Sequence, residues 1–204
     1  MWNRTEVKIE LVLIRHGATQ SNQEHRYLGQ TDEELSAAGR MELERLLAEE
    51  SYPKVDGIYA SPMKRCRETA ELLYPGVEQR VVDDWKEMNF GEFEGKNYLE
   101  LQDNAKYQAW IDSNGTLPFP QGESREEFIA RCKAGVHQML SQLEREENPW
   151  NTIGIVAHGG TIMAILSAFC GGEYFDYQVK NGRGYIAILE KSGEHIQMNI
   201  SRKL

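Results

Sequence analysis

At 204 residues with 40% hydrophobic content, the chain has the size of one compact domain, residues 1–204, built around a single sizeable core. Its 32 acidic against 23 basic residues give a net charge of -9, which repels nucleic acid and acidic membrane surfaces, so neither is expected as a partner. An anionic substrate would then have to be held by a few arginines focused in a cleft against the overall field.

The segment Met1-Trp2-Asn3-Arg4-Thr5-Glu6 runs straight into a strand-like stretch, and no apolar run has signal-peptide or membrane-spanning length; a soluble cytoplasmic protein is the simplest expectation. Residues 7–14 become continuously apolar toward their end and stop at Arg15-His16-Gly17, as a strand buried on both faces does when it enters a polar loop. Ser36 precedes Leu43, Leu46 and Leu47, a capping hydroxyl before an amphipathic helix over 36–50. A short strand is expected over 55–60. Ser61-Pro62 then reads as a cap followed by proline at the first helical position, with Cys66, Ala70 and Leu73 of that helix turned inward.

A β-branched stretch over 77–82 is followed by the turn-rich run Phe90-Gly91-Glu92-Phe93-Glu94-Gly95. Ser124 and Glu127 have capping-box spacing ahead of Phe128, Cys132, Val136, Leu140 and Leu143, which predicts a long helix. Residues 153–157 form a second buried-strand run ended by His158-Gly159-Gly160, with a helix over 161–169. Segments 185–190 and 195–200 read as a closing hairpin around Lys191-Ser192-Gly193-Glu194. Cys66, Cys132 and Cys170 are widely spaced and read as small buried hydrophobes. Alternating buried strands and amphipathic helices predict an α/β fold with a mostly parallel central sheet and helices on both faces. Ligands of such sheets bind beyond the carboxyl ends of the strands, where His16 and His158 would both lie.

A loop leaving a strand end can aim Arg15 and His16 into one cleft. Histidine can attack phosphorus through a neutral ring nitrogen, and arginine neutralises the transferring oxygens through bidentate contacts. Arg65, in the first turn of the helix begun near Ser61, is a further donor, with exposed-looking Lys64 and Arg67 as internal controls. Glu87 stands in an acidic-aromatic loop where burial could raise its pKa enough to protonate a leaving alkoxide. His25, His137 and His195 lack such context and read as surface residues. Phe93, Tyr98, Tyr107, Trp110 and Phe119 could stack on a heterocycle, but Tyr98, Leu101 and Ala105 recur at helical spacing, which favours core packing. Two imidazoles and a carboxylate could instead ligate a metal. Arg15 and Arg65 in the same cleft oppose a dication.

These residues together resemble the histidine phosphatase superfamily, also called phosphoglycerate mutase-like. The resemblance spans nearly the whole chain and rests on Arg15-His16-Gly17-Ala18-Thr19 with Asn22, Ser61-Pro62 through Arg65 to Thr69-Ala70, Glu87 before Phe90-Gly91, Gly122-Glu123-Ser124, and His158-Gly159-Gly160. It implies a three-layer sandwich in which His16 is the phosphoacceptor and Glu87 the proton donor. It implies too that Arg15, Arg65 and His158 bind the phosphoryl group with Asn22, Gly29 and Gly159, and that no metal and no cofactor are required. Leu28 stands before Gly29 where phosphoglycerate-binding relatives carry a hydroxyl residue, and Asn114–Pro120 lacks the paired arginines of mutases. A phosphatase of a small phosphomonoester is therefore expected, nearest in appearance to α-ribazole phosphatases and broad-specificity phosphatases. The alternatives are a cofactor-dependent phosphoglycerate mutase and a noncatalytic phosphate-binding relative. A homodimer is compatible with such a chain.

Overall fold

The computed structural model describes residues 6–49 and 52–204. Met1–Thr5 and the expected helix end at Glu50 lie outside the described residues. Six strands, β1 (Glu6–Arg15), β2 (Gly57–Ala60), β3 (Gln79–Val81), β4 (Thr152–Ala157), β5 (Gly184–Ser192) and β6 (His195–Lys203), form one sheet in the order β3-β2-β4-β1-β5-β6. The first four are mutually parallel, and the β5–β6 hairpin adds antiparallel pairing at one edge. Helices α1 (Gln20–Gln23), α2 (Ala37–Ala48), α3 (Lys64–Leu73), α4 (Tyr98–Leu101), α5 (Ala105–Asp112), α6 (Arg125–Leu143) and α7 (Gly159–Cys170) connect or cover the strands.

Alternation along the buried strands divides the core into two layers. Leu11 and Leu13 of β1 join Ile153, Ile155 and Ala157 of β4 against Phe128, Cys132, Val136 and Leu140 of α6 and the apolar α7. Val12 and Ile14, Val156, and Ile58 and Ala60 of β2 meet Leu43 of α2 and Cys66, Ala70 and Leu73 of α3 on the other face. Helices thus sit on both faces of a mostly parallel sheet, as the strand patterning requires. Ser36 caps α2 by accepting from Gly39 N, and the Ser124–Glu127 capping box opens α6.

Several local expectations change. α3 begins at Lys64 after Met63, not at Pro62, because the Ser61 hydroxyl is engaged by His158. Leu47 is 40% exposed, one position off the inward stripe of α2. Tyr98 and Ala105 do not share one buried face: Asn97 and Asn104 each cap a new helix, separating α4 from α5. Cys170 is only half-buried, at the end of α7 where the core thins. α7 starts two residues earlier than expected, with His158 itself at its N-terminal cap. No helix among the described residues is long and apolar enough to cross a membrane.

Candidate active site

Strand register explains how distant histidines meet. Arg15 pairs with Ala157 across the parallel β1–β4 ladder, so the next residues, His16 and His158, leave neighbouring strands at the same level. Their rings lie edge to face with centroids 5.1 Å apart. β2 delivers Ser61 beside them from the other side of β4, its amide bonded to Val156 O at 3.0 Å. The site therefore sits beyond the carboxyl ends of three adjacent parallel strands.

The tautomers follow from the partners. His16 Nδ1 is 2.7 Å from Gly17 O; a carbonyl only accepts, so Nδ1 carries the hydrogen and the Nε2 lone pair is free. Arg65 Nε donates to His158 Nδ1 at 3.2 Å, which puts the His158 hydrogen on Nε2, 2.7 Å from Ser61 Oγ. Burial, with the charges of Arg65 and Arg15 behind it, holds the His16 imidazole well below its usual pKa of 6.5, and burial followed by Arg65 does the same to His158. Both rings are neutral where an unperturbed histidine would be charging.

Arg65 is fully buried, while its neighbours Lys64 and Arg67 are exposed. Its guanidinium is held by Thr31 O at 2.8 Å and Gly29 O at 2.6 Å. Gly29 thus contributes its carbonyl to Arg65, and its amide is already given to Glu94 Oε1 at 2.9 Å; a direct bond from that amide to a phosphate, as expected from the sequence, is not available. Thr69 ties the two halves together, accepting from Gly17 N at 3.0 Å and donating to Arg65 O at 2.6 Å.

Arg15 donates Nη1 to Val179 O at 2.8 Å, and its Nε is buried without a partner. A buried orphan donor costs about 1–3 kcal/mol unless a ligand satisfies it. Glu87 is also buried; Met88 N and Gly160 N donate to its two oxygens at 2.9 and 3.1 Å. Burial outweighs these amides and the two arginines, so its pKa is raised. The acidic neighbours that confuse the sequence reading, Asp83, Asp84, Glu92 and Glu94, are all less buried than Glu87. A Cβ at position 160 would lie 2.3 Å from Glu87 Oε1, so glycine is required for the carboxylate to approach α7. With both imidazoles neutral, Arg15 and Arg65 are the two positive charges beside His16, matched to a phosphate dianion.

An open polar cleft of about 920 Å³ contains Arg15, Asn22, Gly159 and Asn181. A Cβ at Gly159 would stand in ordinary contact with Arg15 Nε at 3.4 Å. Asn22 Oδ1 accepts from Thr19 N and Asn181 Nδ2, each at 3.2 Å, and Asn181 Nδ2 also reaches His16 O at 2.9 Å. His25, His137 and His195 are exposed, as surface residues are, with His25 standing at this cleft. Behind Glu87, Arg131 donates to the carbonyls of Asp84 and Lys86 at 2.7 and 2.9 Å and grips both Glu123 oxygens at 2.8 and 2.7 Å. Sequence reasoning missed Ser61, Asn181, Glu94 and Arg131. Only Arg131 left a signal, a charge among the inward positions Phe128 and Cys132 of α6.

Among the described residues no group of three or more His, Cys, Asp and Glu is placed to hold a metal ion. Both His158 nitrogens are engaged, Nδ1 by Arg65 Nε and Nε2 by Ser61 Oγ, so that imidazole offers no lone pair to a metal.

Residues 11–199 match the family model of the histidine phosphatase superfamily (branch 1). A glucosyl-3-phosphoglycerate phosphatase of Mycolicibacterium vanbaalenii is 31% identical over 195 residues, covering 90% of this chain and 84% of the relative. Phosphoglycerate mutase-like protein 4 of Arabidopsis thaliana is 30% identical over 163 residues, covering 76% and 69%. The crystal structure of the alpha-ribazole phosphatase from Shigella flexneri shares the fold, with a TM-score of 0.77 at 21% identity over 94% of this chain and 95% of that one.

Proposed function

Because the chain belongs to branch 1 of the histidine phosphatase superfamily, we propose that it hydrolyses a small phosphomonoester through a phosphohistidine on His16, with α-ribazole phosphate as the first candidate substrate. The observation that carries this reading is a neutral His16 whose Nδ1–H is fixed on Gly17 O, set beside the buried guanidinium of Arg65 and the half-buried one of Arg15. The free Nε2 lone pair attacks phosphorus in line, the N–P bond forms, and the P–O bond to the alcohol breaks. Glu87, whose pKa burial raises, gives a proton to the departing oxygen. The resulting carboxylate then takes a proton from water as that water displaces His16 from phosphorus.

Arg15, with its orphan Nε, and Arg65 face the phosphoryl oxygens; Asn22 is a further donor, its Nδ2 making no hydrogen bond among the described residues. His158 positions Arg65 in the resting site, and contacts the phosphoryl group by turning its Nε2–H from Ser61 to an oxygen. Gly159 lines the same cleft as Arg15. This assignment needs no metal and no cofactor.

Acid-quenched enzyme, mixed with a phosphomonoester, should carry an acid-labile, base-stable phosphate that disappears in His16→Ala. Full turnover by His16→Ala would sink the mechanism. Isomerisation of 3-phosphoglycerate faster than phosphate release would favour the mutase alternative, and a site that binds phosphate but turns over nothing would make the chain a noncatalytic relative. Leu28, buried where a substrate hydroxyl partner would stand, argues for release.

A further inference from the structure

We propose that the alcohol portion of the substrate carries a flat aromatic ring, bound in a separate cavity that opens from the catalytic cleft at Glu87. This rests on the phosphatase reading for its chemistry, and adds the class of leaving group.

The cavity, about 190 Å³, is walled by Tyr27, Phe90, Trp110, Phe119, Met163 and Tyr174. It shares Glu87, Gly160, Tyr27 and Met163 with the polar cleft, but Arg15 lines only the cleft. The phosphoryl group, held by Arg15, therefore belongs in the cleft, and the oxygen that leaves must sit at Glu87. What is attached to that oxygen continues past Glu87 into the aromatic cavity.

The walls are held in place by one another. Phe90 and Trp110 pack on Phe119 at centroid distances of 5.0 and 4.8 Å, and Tyr27 meets Phe90 at 5.2 Å. Such rings form edge and offset contacts with another ring. An apolar cavity of about 150 Å³ accommodates benzene, so this one is scaled to a single or small fused ring. The core-packing role expected for the aromatics holds for Phe93, Tyr107 and Phe119, which are buried, but Phe119 and Trp110 also present surface to the cavity. At the lip stand Leu117 and Phe175, each 48% exposed.

Arg125 is the one cation at this cavity among the described residues. It stacks over Tyr174 and Phe175 at 5.4 and 5.0 Å and donates to the carbonyls of Asn114 and Gly115 at 3.1 and 2.7 Å. Its charge is thereby committed to the wall. A carboxylate-bearing alcohol would exchange its hydration for aromatic faces.

The test uses nonhydrolysable phosphonates, so that it does not depend on turnover. Calorimetry should find benzylphosphonate bound at least tenfold more tightly than ethylphosphonate, both displaced by inorganic phosphate. That ratio should fall below threefold in Trp110→Ala and in Leu117→Asp, the latter at an exposed lip where folding is not at risk. Equal affinities in the wild-type protein, or tighter binding of 3-phosphonopropionate than of benzylphosphonate, would overturn the proposal. If the ratio holds while no phosphomonoester is hydrolysed, the phosphatase reading fails alone; if benzyl and ethyl phosphate are hydrolysed with equal kcat/KM and the phosphonates bind equally, the ring proposal fails alone.

Discussion

Arg65 Nε and His158 Nδ1, 3.2 Å apart, define each other: the arginine fixes the histidine's tautomer, and the histidine fixes the plane of the guanidinium. Lysine cannot reproduce this, because its single ammonium lacks the fork that also reaches Gly29 O and Thr31 O. Arg65→Lys should lower kcat/KM on p-nitrophenyl phosphate by about 10²–10³, the cost of one lost preorganised donor. It should also lower unfolding stability by about 1–3 kcal/mol through the buried carbonyls left unpaired. Steady-state kinetics and urea denaturation read the two effects separately, and activity within twofold of wild type would remove Arg65 from the phosphoryl site.

Gly160→Ala addresses the proposed proton donor without changing its chemistry. The new methyl would lie 2.3 Å from Glu87 Oε1, so the carboxylate must swing away. A displaced acid harms substrates whose leaving oxygen needs a proton, and spares nitrophenolate. The expected result is a loss of at least tenfold on an alkyl phosphate and at most threefold on p-nitrophenyl phosphate, the same pattern as Glu87→Gln. Parallel losses on both substrates would show that Glu87 is not the acid.

The strands and long helices were legible because burial on both faces and capping chemistry leave local signatures: 7–14, 153–157 and Ser124 with Glu127 all fall where those signatures lie. The meeting of His16 with His158 followed from both ending parallel strands. Ser61 was misread because a serine before proline looks like a cap whether its hydroxyl faces a helix amide or an imidazole from a strand 97 residues away. Glu94 and Arg131 act through contacts 65 and 47 residues distant in sequence; the charge of Arg131 among the inward positions of α6 marks it, but no local pattern encodes the partners of either. Glu87 was singled out from its acidic neighbours by resemblance alone; burial is the physical distinction, and burial is a tertiary property.

Arg131 holds the turn that carries Glu87, through two carbonyl contacts and a bidentate pair with Glu123. Arg131→Met keeps the aliphatic stem but frees the turn and leaves Glu123 without its cation. The side chain is about one-fifth exposed, 22%, which limits the stability loss to about 1–3 kcal/mol. The diagnostic effect is kinetic: kcat on alkyl phosphates should fall fivefold or more with KM little changed, and p-nitrophenyl phosphate should be less affected. Arg131→Lys should recover only part of that loss. A uniform change in KM for every substrate would assign Arg131 to fold stability alone.

The depressed basicity of His16 and His158 makes folding sensitive to mild acid. Below about pH 6.5 the unfolded chain protonates both imidazoles while the folded chain does not, so unfolding takes up two protons and stability falls as pH falls. Each proton corresponds to a slope of about 1.4 kcal/mol per pH unit, so the pair gives about 2.7. Glu87 works in the opposite sense. Its raised pKa lets the folded protein hold a proton that the unfolded chain releases above pH 4.5, stabilising the fold below its folded pKa and cancelling up to one of the two histidine contributions there. The net slope just below pH 6.5 should therefore be positive with rising pH, at most about 2.7 kcal/mol per pH unit and smaller wherever Glu87 holds its proton. The carboxylates with lowered pKa, such as Glu24, Glu42 and Glu127, titrate below this window. Urea denaturation at pH 5, 6 and 7.5 measures the slope, and it should flatten in His16→Asn and more so in His16→Asn with His158→Asn. A wild-type profile flat from pH 7.5 to 5 would mean that the histidines titrate normally in the fold and that His16 is not held neutral for attack.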